Sequence, residues 1–318
     1  MKTYNSIIIG SGLGGLTAGA LLALWGKKVL VLEQHYIAGG CATAFKRKDF
    51  LMEVGLHEID GLHDQDFKRP IMELLGLFKG VEFLKIPELY HIRKGDFSYV
   101  LSEGKQAKEQ LKRDFPKEEK NINEFFITIE KLYKEMHQMP RSKWLRRLIH
   151  PLMPLLYPAI ASTSRITAGE WLDKHFKDER LKTILTANMC YYADDPFNLS
   201  LMYFLVAQGS YLNGGGHFVK GGSQNLSNYL VHFIEQHGGQ VLTGKYAKEI
   251  LIENNRAIGV AYQDTFNRTI PMVKVYADTV IANAAQPNVV QMLPEPQCRV
   301  LQKRIGKLRP ACSLLSVY

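Results

Sequence analysis

The chain has 318 residues, of which 46% are hydrophobic, and its formal net charge is +9 at pH 7. This size and hydrophobic content allow a large core and predict two lobes. The positive charge favours anionic partners such as phosphates or a lipid surface. The sequence contains no nucleic-acid-binding module and no apolar run of the roughly 18–20 residues that a membrane-spanning helix needs.

The first predicted unit, residues 6–33, is a strand, a glycine turn, a helix and a second strand. The apolar run at residues 7–9 is typical of a strand buried on both faces. The turn after it has the spacing G-x-G-x-x-G, carried by Gly10, Gly12 and Gly15. Glycines at these positions allow a tight turn, the approach of a pyrophosphate and close packing of the helix. The unit therefore predicts dinucleotide binding.

Glu33 follows the second predicted strand, which covers residues 29–32. It falls about 20 residues past the glycines, where an acidic side chain accepts hydrogen bonds from ribose hydroxyls. The preceding helix, predicted at residues 16–25, adds free N–H groups and about half a positive charge at its start, which favours phosphates. A 2′-phosphate on this ribose is not expected, because it would face the Glu33 carboxylate.

The beginning of the chain superficially resembles a signal peptide, with Lys2, an apolar stretch and then Ala18-Gly19-Ala20. A signal peptide explains neither the glycine spacing nor Glu33, so we expect none. The four cysteines are scattered without a C-x-x-C pair, which indicates a reducing compartment. We therefore expect a cytoplasmic protein that is either free or peripheral on a membrane.

Two adjacent glycines follow the second strand in the segment Gly39-Gly40-Cys41. They would let the backbone pass close under the phosphates and ribityl chain of a cofactor, although an ordinary loop is the alternative. Residues 46–49 predict an exposed hairpin turn. Residues 50–59 then contain Glu53 and the short motif Gly55-x-His57.

The segments VLEQHYIAGGCATAF and MEVGLHEIDG resemble the flavoprotein family of phytoene desaturases, carotenoid isomerases and retinol saturases, and are most similar to the retinol saturase branch. The resemblance implies an α/β fold in which an FAD-binding Rossmann-like domain of the glutathione-reductase type carries an inserted α+β substrate lobe. It implies FAD-binding residues Gly10, Ser11, Gly12, Gly14, Gly15, Glu33, Gln34, Gly39, Gly40, Cys41 and Ala247. Ser11 and Gly14 would give backbone N–H groups to the pyrophosphate, the backbone near Ala247 would contact adenine, and the Gly55–His57 segment would approach the flavin ring.

The resemblance also divides the chain. Residues 1–62 and 217–290 would form the two parts of the FAD-binding domain, residues 63–216 the substrate- or lipid-binding insertion, and residues 291–318 the start of a return to the substrate lobe. Residues 313–318 predict the beginning of a strand. The family continues beyond this point and closes over the flavin with another glycine-rich segment. The resemblance therefore implies a C-terminally truncated family member, or one whose remainder comes from elsewhere, and we expect it to retain flavin weakly.

Within the insertion, residues 106–139 predict charged helical structure, and Thr167 with Glu170 predicts a capping box at the start of another helix. Residues 141–160 combine basic residues, Trp144 and leucines with three prolines, which suits peripheral membrane contact. A buried, irregular pair of helices is the alternative. An aromatic group either walls a polyene channel or belongs to the core: Tyr191, Tyr192, Tyr203 and Phe204.

The second half of the chain predicts a helix over residues 225–237. Strands are predicted over residues 241–243, 247–252, 257–263, 268–275 and 277–284, with a hairpin turn at Asn254-Asn255. The last of these strands matches the one by which the family re-enters its cofactor domain.

The resemblance implies an FAD-dependent oxidoreductase that acts on C–C double bonds of an isoprenoid, carotenoid or retinoid-like lipid. His57 and Glu53 are the candidates for moving the proton that accompanies hydride transfer. Because only one dinucleotide motif is present, a nicotinamide would be at most a transient electron donor or acceptor. No spacing predicts a metal site. The alternatives are a non-catalytic lipid escort on the same fold and an inactive truncated family member.

Overall fold

A computed structural model gives the structure of residues 4–308, with only the backbone described at Lys105. The strand expected at residues 313–318 lies outside the described residues. The strands are β1 (Tyr4–Ile9), β2 (Val29–Leu32), β3 (Ala44–Arg47), β4 (Phe50–Glu53), β5 (Ile59–Asp60), β6 (Phe83–Lys85), β7 (Tyr90–Lys94), β8 (Phe97–Leu101), β9 (Gly216–Val219), β10 (Gln240–Leu242), β11 (Lys245–Glu253), β12 (Arg256–Asp264) and β13 (Val273–Ala282).

The α-helices alternate with these strands at both ends of the chain and dominate its middle. They are α1 (Leu13–Leu24), α2 (Arg69–Leu74), α3 (Leu77–Gly80), α4 (Gly104–Asp114), α5 (Glu119–Gln138), α6 (Lys143–Ile149), α7 (Met153–Leu156), α8 (Pro158–Thr163), α9 (Ala168–His175), α10 (Glu179–Thr186), α11 (Leu201–Gly214), α12 (Ser223–Gln236), α13 (Gln286–Met292) and α14 (Gln297–Ile305). The mixed α/β fold class is confirmed.

The main sheet has the strand order β10-β2-β1-β13-β12-β11. The strands β10, β2, β1 and β13 are parallel, and β11 and β12 join as an antiparallel hairpin. Ile9 is in register with Leu32 on one side and Ala282 on the other, so three strands end at the same edge. The predicted hairpin turn at Asn254-Asn255 is confirmed, with both residues at positive φ as a two-residue hairpin requires.

One strand prediction in this sheet is wrong. The sequence predicts separate strands at residues 268–275 and 277–284, whereas β13 is one continuous strand from Val273 to Ala282. Its first half pairs with β12 and its second half with β1, so a single extended segment serves two partners. This strand joins the parallel part of the sheet to the antiparallel part.

Helices α1 and α12 pack together on one face of the parallel strands. Leu16 and Ala20 of α1 and Leu230 and Ile234 of α12 are buried in one cluster with Ile8. Met72, Leu75 and Leu77 belong to the same cluster, although they fall within the range 63–216 that the sequence assigns to the insertion. The predicted domain boundaries stay a prediction, but this packing places α2 and the start of α3 against the sheet region.

A second core fills the insertion and is built from α4, α5, α9, α10 and α11 around the hairpin β7–β8. The charged stretch 106–139 is helical as predicted, but it forms two helices with a break at Phe115 and Pro116. A proline lacks the N–H that a continuous helix would need there. The capping box of Thr167 and Glu170 is present at the start of α9.

Residues 143–156 are not the buried helix pair that was the alternative to membrane contact, although Ala159 and Ile160 at the start of α8 are buried. Helices α6 and α7 contain no buried residue, and Trp144, Leu148 and Leu155 are 69%, 66% and 78% exposed. Over residues 4–308, no helix has both the length and the apolar character required to cross a membrane.

Candidate functional site

The glycine turn between β1 and α1 is held by backbone contacts that exclude side chains. Gly10 has φ of +94°, which is the left-handed region that favours glycine. A Cβ on Gly15 would overlap the carbonyl oxygen of Gly10, so the helix lies directly against the turn. Gly12 caps α1 without a side-chain hydrogen bond, and the first turn of α1 carries no acidic residue. The start of this helix therefore keeps its N–H groups and partial positive charge for an anionic ligand.

Glu33 lies beside this turn with 7% of its surface exposed. Its Oε2 accepts hydrogen bonds from the Ser11 N–H at 2.9 Å and the Ser11 hydroxyl at 2.6 Å, and its Oε1 accepts from the His35 N–H at 2.8 Å. A carboxylate has about four acceptor positions, so one on Oε1 is left for a ligand hydroxyl. The Ser11 N–H, which the resemblance assigns to a pyrophosphate, is engaged by Glu33 instead.

The second glycine segment lies on the first. Gly39 forms a parallel bridge with Gly12 and donates its N–H to the Ser11 carbonyl at 3.0 Å. Gly39 and Gly40 both have positive φ, and a Cβ on Gly40 would stand only 3.0 Å from the Cα of Gly12. The structure thus brings together two glycine segments that are about thirty residues apart and makes one backbone-lined groove from them.

The groove continues towards His57. The exposed residue Cys41 accepts a hydrogen bond on its carbonyl from the Leu56 N–H at 3.1 Å, which places the Gly55–His57 segment beside it. His57 is exposed, and its ring is 6.1 Å from the ring of Tyr191 in an edge-on arrangement. Its assignment as a proton-transfer residue stays a prediction.

Glu53, the other catalytic candidate, lies at the start of α12. Its carboxylate accepts the Ser223 N–H at 2.7 Å and also the Ser223 hydroxyl. An acidic side chain at a helix start satisfies free N–H groups and complements the helix dipole. These contacts give Glu53 a structural role, while its catalytic assignment remains untested.

Two predicted cofactor residues lie at the adenine side of the groove. Gln34 is exposed, whereas Ala247 is buried with its side chain in the core under the sheet. Glu33, which precedes Gln34, donates its N–H to the Leu242 carbonyl of β10, and its carbonyl accepts the N–H of Lys245 at the start of β11. Only the backbone of Ala247 is therefore available to a ligand.

Asn283 is a site residue that the sequence did not indicate. It directly follows β13, and its N–H donates to the Ile9 carbonyl at 2.8 Å. Its side chain lies over the glycine turn. If Gly12 or Gly14 carried a Cβ, that atom would contact the side-chain amide of Asn283. The alignment of β13 with β1 at one sheet edge is the signal that could have located it, since parallel strands direct their following residues to the same crevice.

Glu58 is a second residue that the sequence analysis passed over. It is half-buried next to His57, and the Tyr211 hydroxyl lies near its carboxyl. Burial raises the pKa of Glu58 more than the Tyr211 hydroxyl lowers it, and the nearby Asp60 carboxylate raises it further. Burial also raises the pKa of Tyr211. A carboxyl whose pKa is raised holds its proton to a higher pH than an ordinary carboxyl does, which suits a general acid.

Two cavities meet near this carboxyl. One, of about 550 Å³, is mainly apolar, lies between α1, α2 and α12, and includes Gly14 and Glu58 in its lining. The other, of about 330 Å³, is lined by tyrosines of the insertion, namely Tyr133, Tyr191, Tyr192, Tyr203 and Tyr211. The predicted wall residue Phe204 is instead fully buried in the insertion core. Asp60 and Lys68 line both cavities.

Lys68 connects the walls of the tyrosine cavity. Its ammonium lies 3.3 Å from Asp60, 3.1 Å from Asp66 and 3.4 Å from the Ser210 hydroxyl. The Asp66 carboxylate also accepts the N–H groups of Leu62 and Lys68. Burial opposes ionisation of Asp66, but these N–H bonds and the Lys68 charge outweigh it and lower its pKa.

Comparison with known proteins assigns this arrangement to a family of flavoproteins. The family model described as flavin containing amine oxidoreductase matches residues 13–314. The chain is 27% identical to human all-trans-retinol 13,14-reductase over the whole length of this chain. It is 29% identical, over 98% of this chain, to the zebrafish (Danio rerio) protein named inactive all-trans-retinol 13,14-reductase. The chain covers 53% of each of these two proteins. It is 24% identical to the chloroplastic prolycopene isomerase of Daucus carota, covering 90% of this chain and 46% of that protein. The chain thus spans about half the length of the curated relatives it matches.

Solved structures share the fold at lower identity. An oxidoreductase from Methanosarcina mazei superposes with a TM-score of 0.61 at 22% identity, covering 96% of this chain and 66% of that one. A Rab GDI from Plasmodium falciparum superposes with a TM-score of 0.55 at 14% identity, covering 90% and 66%. At these identities the superpositions establish the fold alone.

Proposed function

The chain belongs to the flavin-containing amine oxidoreductase family, and from that membership we propose that it binds FAD and acts on C–C double bonds of an isoprenoid, carotenoid or retinoid-like lipid by hydride transfer at the flavin. Membership makes FAD the expected cofactor. The substrate class is our inference from relatives named retinol reductases and prolycopene isomerases at 24–29% identity.

The observation that carries the proposal is the groove formed by the two glycine segments. Gly12 and Gly39 are bridged, Gly40 is packed on Gly12, and Glu33 keeps an acceptor position at the end of β2. These features fit the adenosine and pyrophosphate parts of FAD, which need a ribose acceptor and an approach without side chains. The start of α1, Gly14 and Gly40 would hold the phosphates, Gly39 would leave room for them, and Glu33 would hold the ribose.

FAD, when bound, supplies the hydride chemistry, and the chain supplies orientation and proton handling. Glu58 is the strongest proton-handling candidate, because it is half-buried, lies near the Tyr211 hydroxyl and lines the apolar cavity. His57 adjoins it on the chain. The apolar lining of that cavity would exclude water around a hydrocarbon substrate. A nicotinamide electron partner remains a prediction without support from the groove.

Cofactor binding is tested by the absorbance of the purified protein. After incubation with excess FAD and removal of unbound flavin, we expect a yellow protein whose flavin band is lost in Gly12→Asp, because the added carboxylate faces the phosphates. The matched control is Gly95→Asp, at an exposed hairpin turn where a side chain meets no neighbouring atom within 4 Å. A colourless wild-type protein after incubation with excess FAD, or equal flavin retention in both variants, would refute FAD binding at this groove.

Proton transfer is tested with Glu58→Gln and Glu53→Gln, using retinol as substrate and chemically reduced enzyme. Loss of a general acid typically slows a reaction about 10²–10⁴-fold, and we expect a loss of this order for Glu58→Gln. The wild-type rate should fall as the pH rises through the raised pKa of Glu58, and the variant should lack this step. Glu53→Gln should mainly lower stability, because it weakens the cap on α12. The assignment would be reversed by two results together. Glu53→Gln would have to lose the same large factor in rate without losing stability, and Glu58→Gln would have to keep the fall in rate with rising pH.

The second candidate is a non-catalytic lipid-binding or escort protein. A relative with 29% identity is named inactive, and the chain spans only about half of that relative. This candidate predicts a colourless, folded protein that still binds a retinoid, measured by quenching of protein fluorescence on addition of retinol. Flavin binding together with turnover would exclude it.

A further inference from the structure

The segment of residues 143–156 carries exposed apolar side chains that the proposed reaction does not use. Helix α6, a 3-10 turn at His150–Leu152 and helix α7 follow one another without an extended residue between them. Trp144, Leu148, Leu152 and Leu155 are spaced four, four and three residues apart, which places them along one side of the helical run. Their exposed fractions are 69%, 66%, 52% and 78%. We call these four residues the apolar stripe.

The opposite side of the same run is anchored to the insertion. Met153 and Tyr157 pack against the insertion core. Just beyond the run, the Glu135 carboxylate accepts the N–H groups of Ala159 and Ile160 at 3.0 and 2.9 Å, which fixes the start of α8 to α5. The apolar stripe is therefore presented outward by a segment that the protein holds on its other side.

The charge around the apolar stripe is of one sign. Arg141, Lys143, Arg146 and Arg147 adjoin it, and the sequence contains no Asp or Glu between Glu135 and Glu170. All four cations are exposed, and none pairs with a carboxylate among residues 4–308. Exposed apolar residues beside unpaired cations match an anionic lipid surface, which accepts indole and leucine below its headgroups and Arg or Lys at them.

We propose that the apolar stripe and its four cations are a peripheral docking surface for an anionic lipid bilayer. Two short helices broken by Pro151 and Pro154 cannot span a bilayer, but they can lie in its interface. Each cation near an anionic surface strengthens binding by about fivefold, from roughly 1 kcal/mol per Lys or Arg. The proposal goes beyond the proposed function, because it needs neither flavin nor turnover.

The first test measures sedimentation with phosphatidylcholine vesicles, with and without phosphatidylserine, using the full chain as purified. We expect binding that requires the anionic lipid and weakens about 25-fold in the double variant Arg146→Gln/Arg147→Gln, from two charges at fivefold each. The matched control is Lys303→Gln/Arg304→Gln, an adjacent pair of exposed cations on α14. Equal losses in both double variants would show general charge attraction and would overturn the proposed surface.

The second test measures insertion of the apolar stripe. The chain has three tryptophans, of which Trp25 is 62% exposed, Trp144 69% and Trp171 8%. In a Trp25→Phe background, we expect brominated lipid to quench Trp144 fluorescence. Trp144→Ala combined with Leu155→Ala should weaken vesicle binding about tenfold or more, because two large apolar side chains are lost. Trp25→Ala, at a comparably exposed tryptophan, should leave binding unchanged.

Three results would overturn the proposal. They are absence of binding to the anionic vesicles, unquenched Trp144 in the bound protein, and concentration-dependent dimerisation without lipid that Trp144→Ala abolishes. The last result would assign the apolar stripe to a second copy of the chain. Because these assays measure vesicle binding and not flavin, failure of vesicle binding leaves the cofactor proposal untouched, and a colourless protein leaves the lipid proposal untouched.

Discussion

The groove of the sheet region and the tyrosine cavity of the insertion are built in different ways. The groove is made of backbone: Gly12, Gly39 and Gly40 approach one another because they lack side chains. The cavity is made of side chains from distant parts of the chain, including Tyr133 and Tyr211. A backbone site depends on where side chains are missing, whereas a side-chain site depends on how separate helices pack. The two regions should therefore respond differently to small substitutions.

The largest effect is expected from adding one methyl group to the groove. Gly15→Ala would place a Cβ against the Gly10 carbonyl oxygen, and overpacking against rigid backbone should lower the free energy of unfolding by about 3 kcal/mol or more. Gly19→Ala in the same helix is the matched control, because its Cβ meets only the tips of Ile234, Ile8 and Val31. Urea denaturation measures both variants. If Gly15→Ala and Gly19→Ala lowered the free energy of unfolding by similar amounts, the proposed difference between sites built of backbone and sites built of side chains would be wrong.

An intermediate effect is expected at the loop that joins the two regions. Asp66→Asn would weaken the hydrogen bonds from Leu62 and Lys68 and the ion pair with Lys68. Hydrogen bonds to a charged group contribute about 1.5–3 kcal/mol, so we expect a loss of stability in that range near neutral pH. Asp64→Asn is the matched control, because Asp64 is an exposed carboxylate two residues away.

The pH dependence of the same variant sharpens the test. The pKa of Asp66 is lowered in the folded protein, so its stabilising contribution is present above the unfolded pKa of about 3.9 and is lost as the pH falls through the folded value. The difference in unfolding free energy between wild type and Asp66→Asn should therefore shrink on acidification below about pH 4. A difference that stays constant with pH would show that the charge of Asp66 does not contribute.

The smallest effect is expected within the insertion, from a local contact. Thr167→Ala removes the side-chain half of the capping box at α9, and loss of such a cap costs about 1 kcal/mol. Thr183→Ala is the control, since its hydroxyl bonds only the Glu179 carbonyl within its own helix. The two variants are compared by thermal unfolding. A loss at Thr167 as large as that of Gly15→Ala would show that the insertion is as intolerant as the groove.

Local sequence determined the parts of the protein whose contacts are short in range. The strand, turn, helix and strand of residues 6–33, the turn at Asn254-Asn255 and the capping box at Thr167 were all predicted correctly. The turn and the capping box depend on backbone conformations or hydrogen bonds between residues a few positions apart, and the unit of residues 6–33 was indicated by its glycine spacing. Residue spacing along the chain is enough to predict such features, which is why the glycine motif and Glu33 indicated the groove.

Tertiary structure decided the contacts between segments that are far apart in the chain. It placed Asn283 over the glycine turn, set Glu53 at the start of α12, brought Glu58 near Tyr211 and turned Trp144, Leu148 and Leu155 outward. None of these follows from residue spacing, because each depends on which strand lies beside which and which face of a helix meets the core. Parallel strand pairing and helix packing are non-local, so only the assembled fold fixes them.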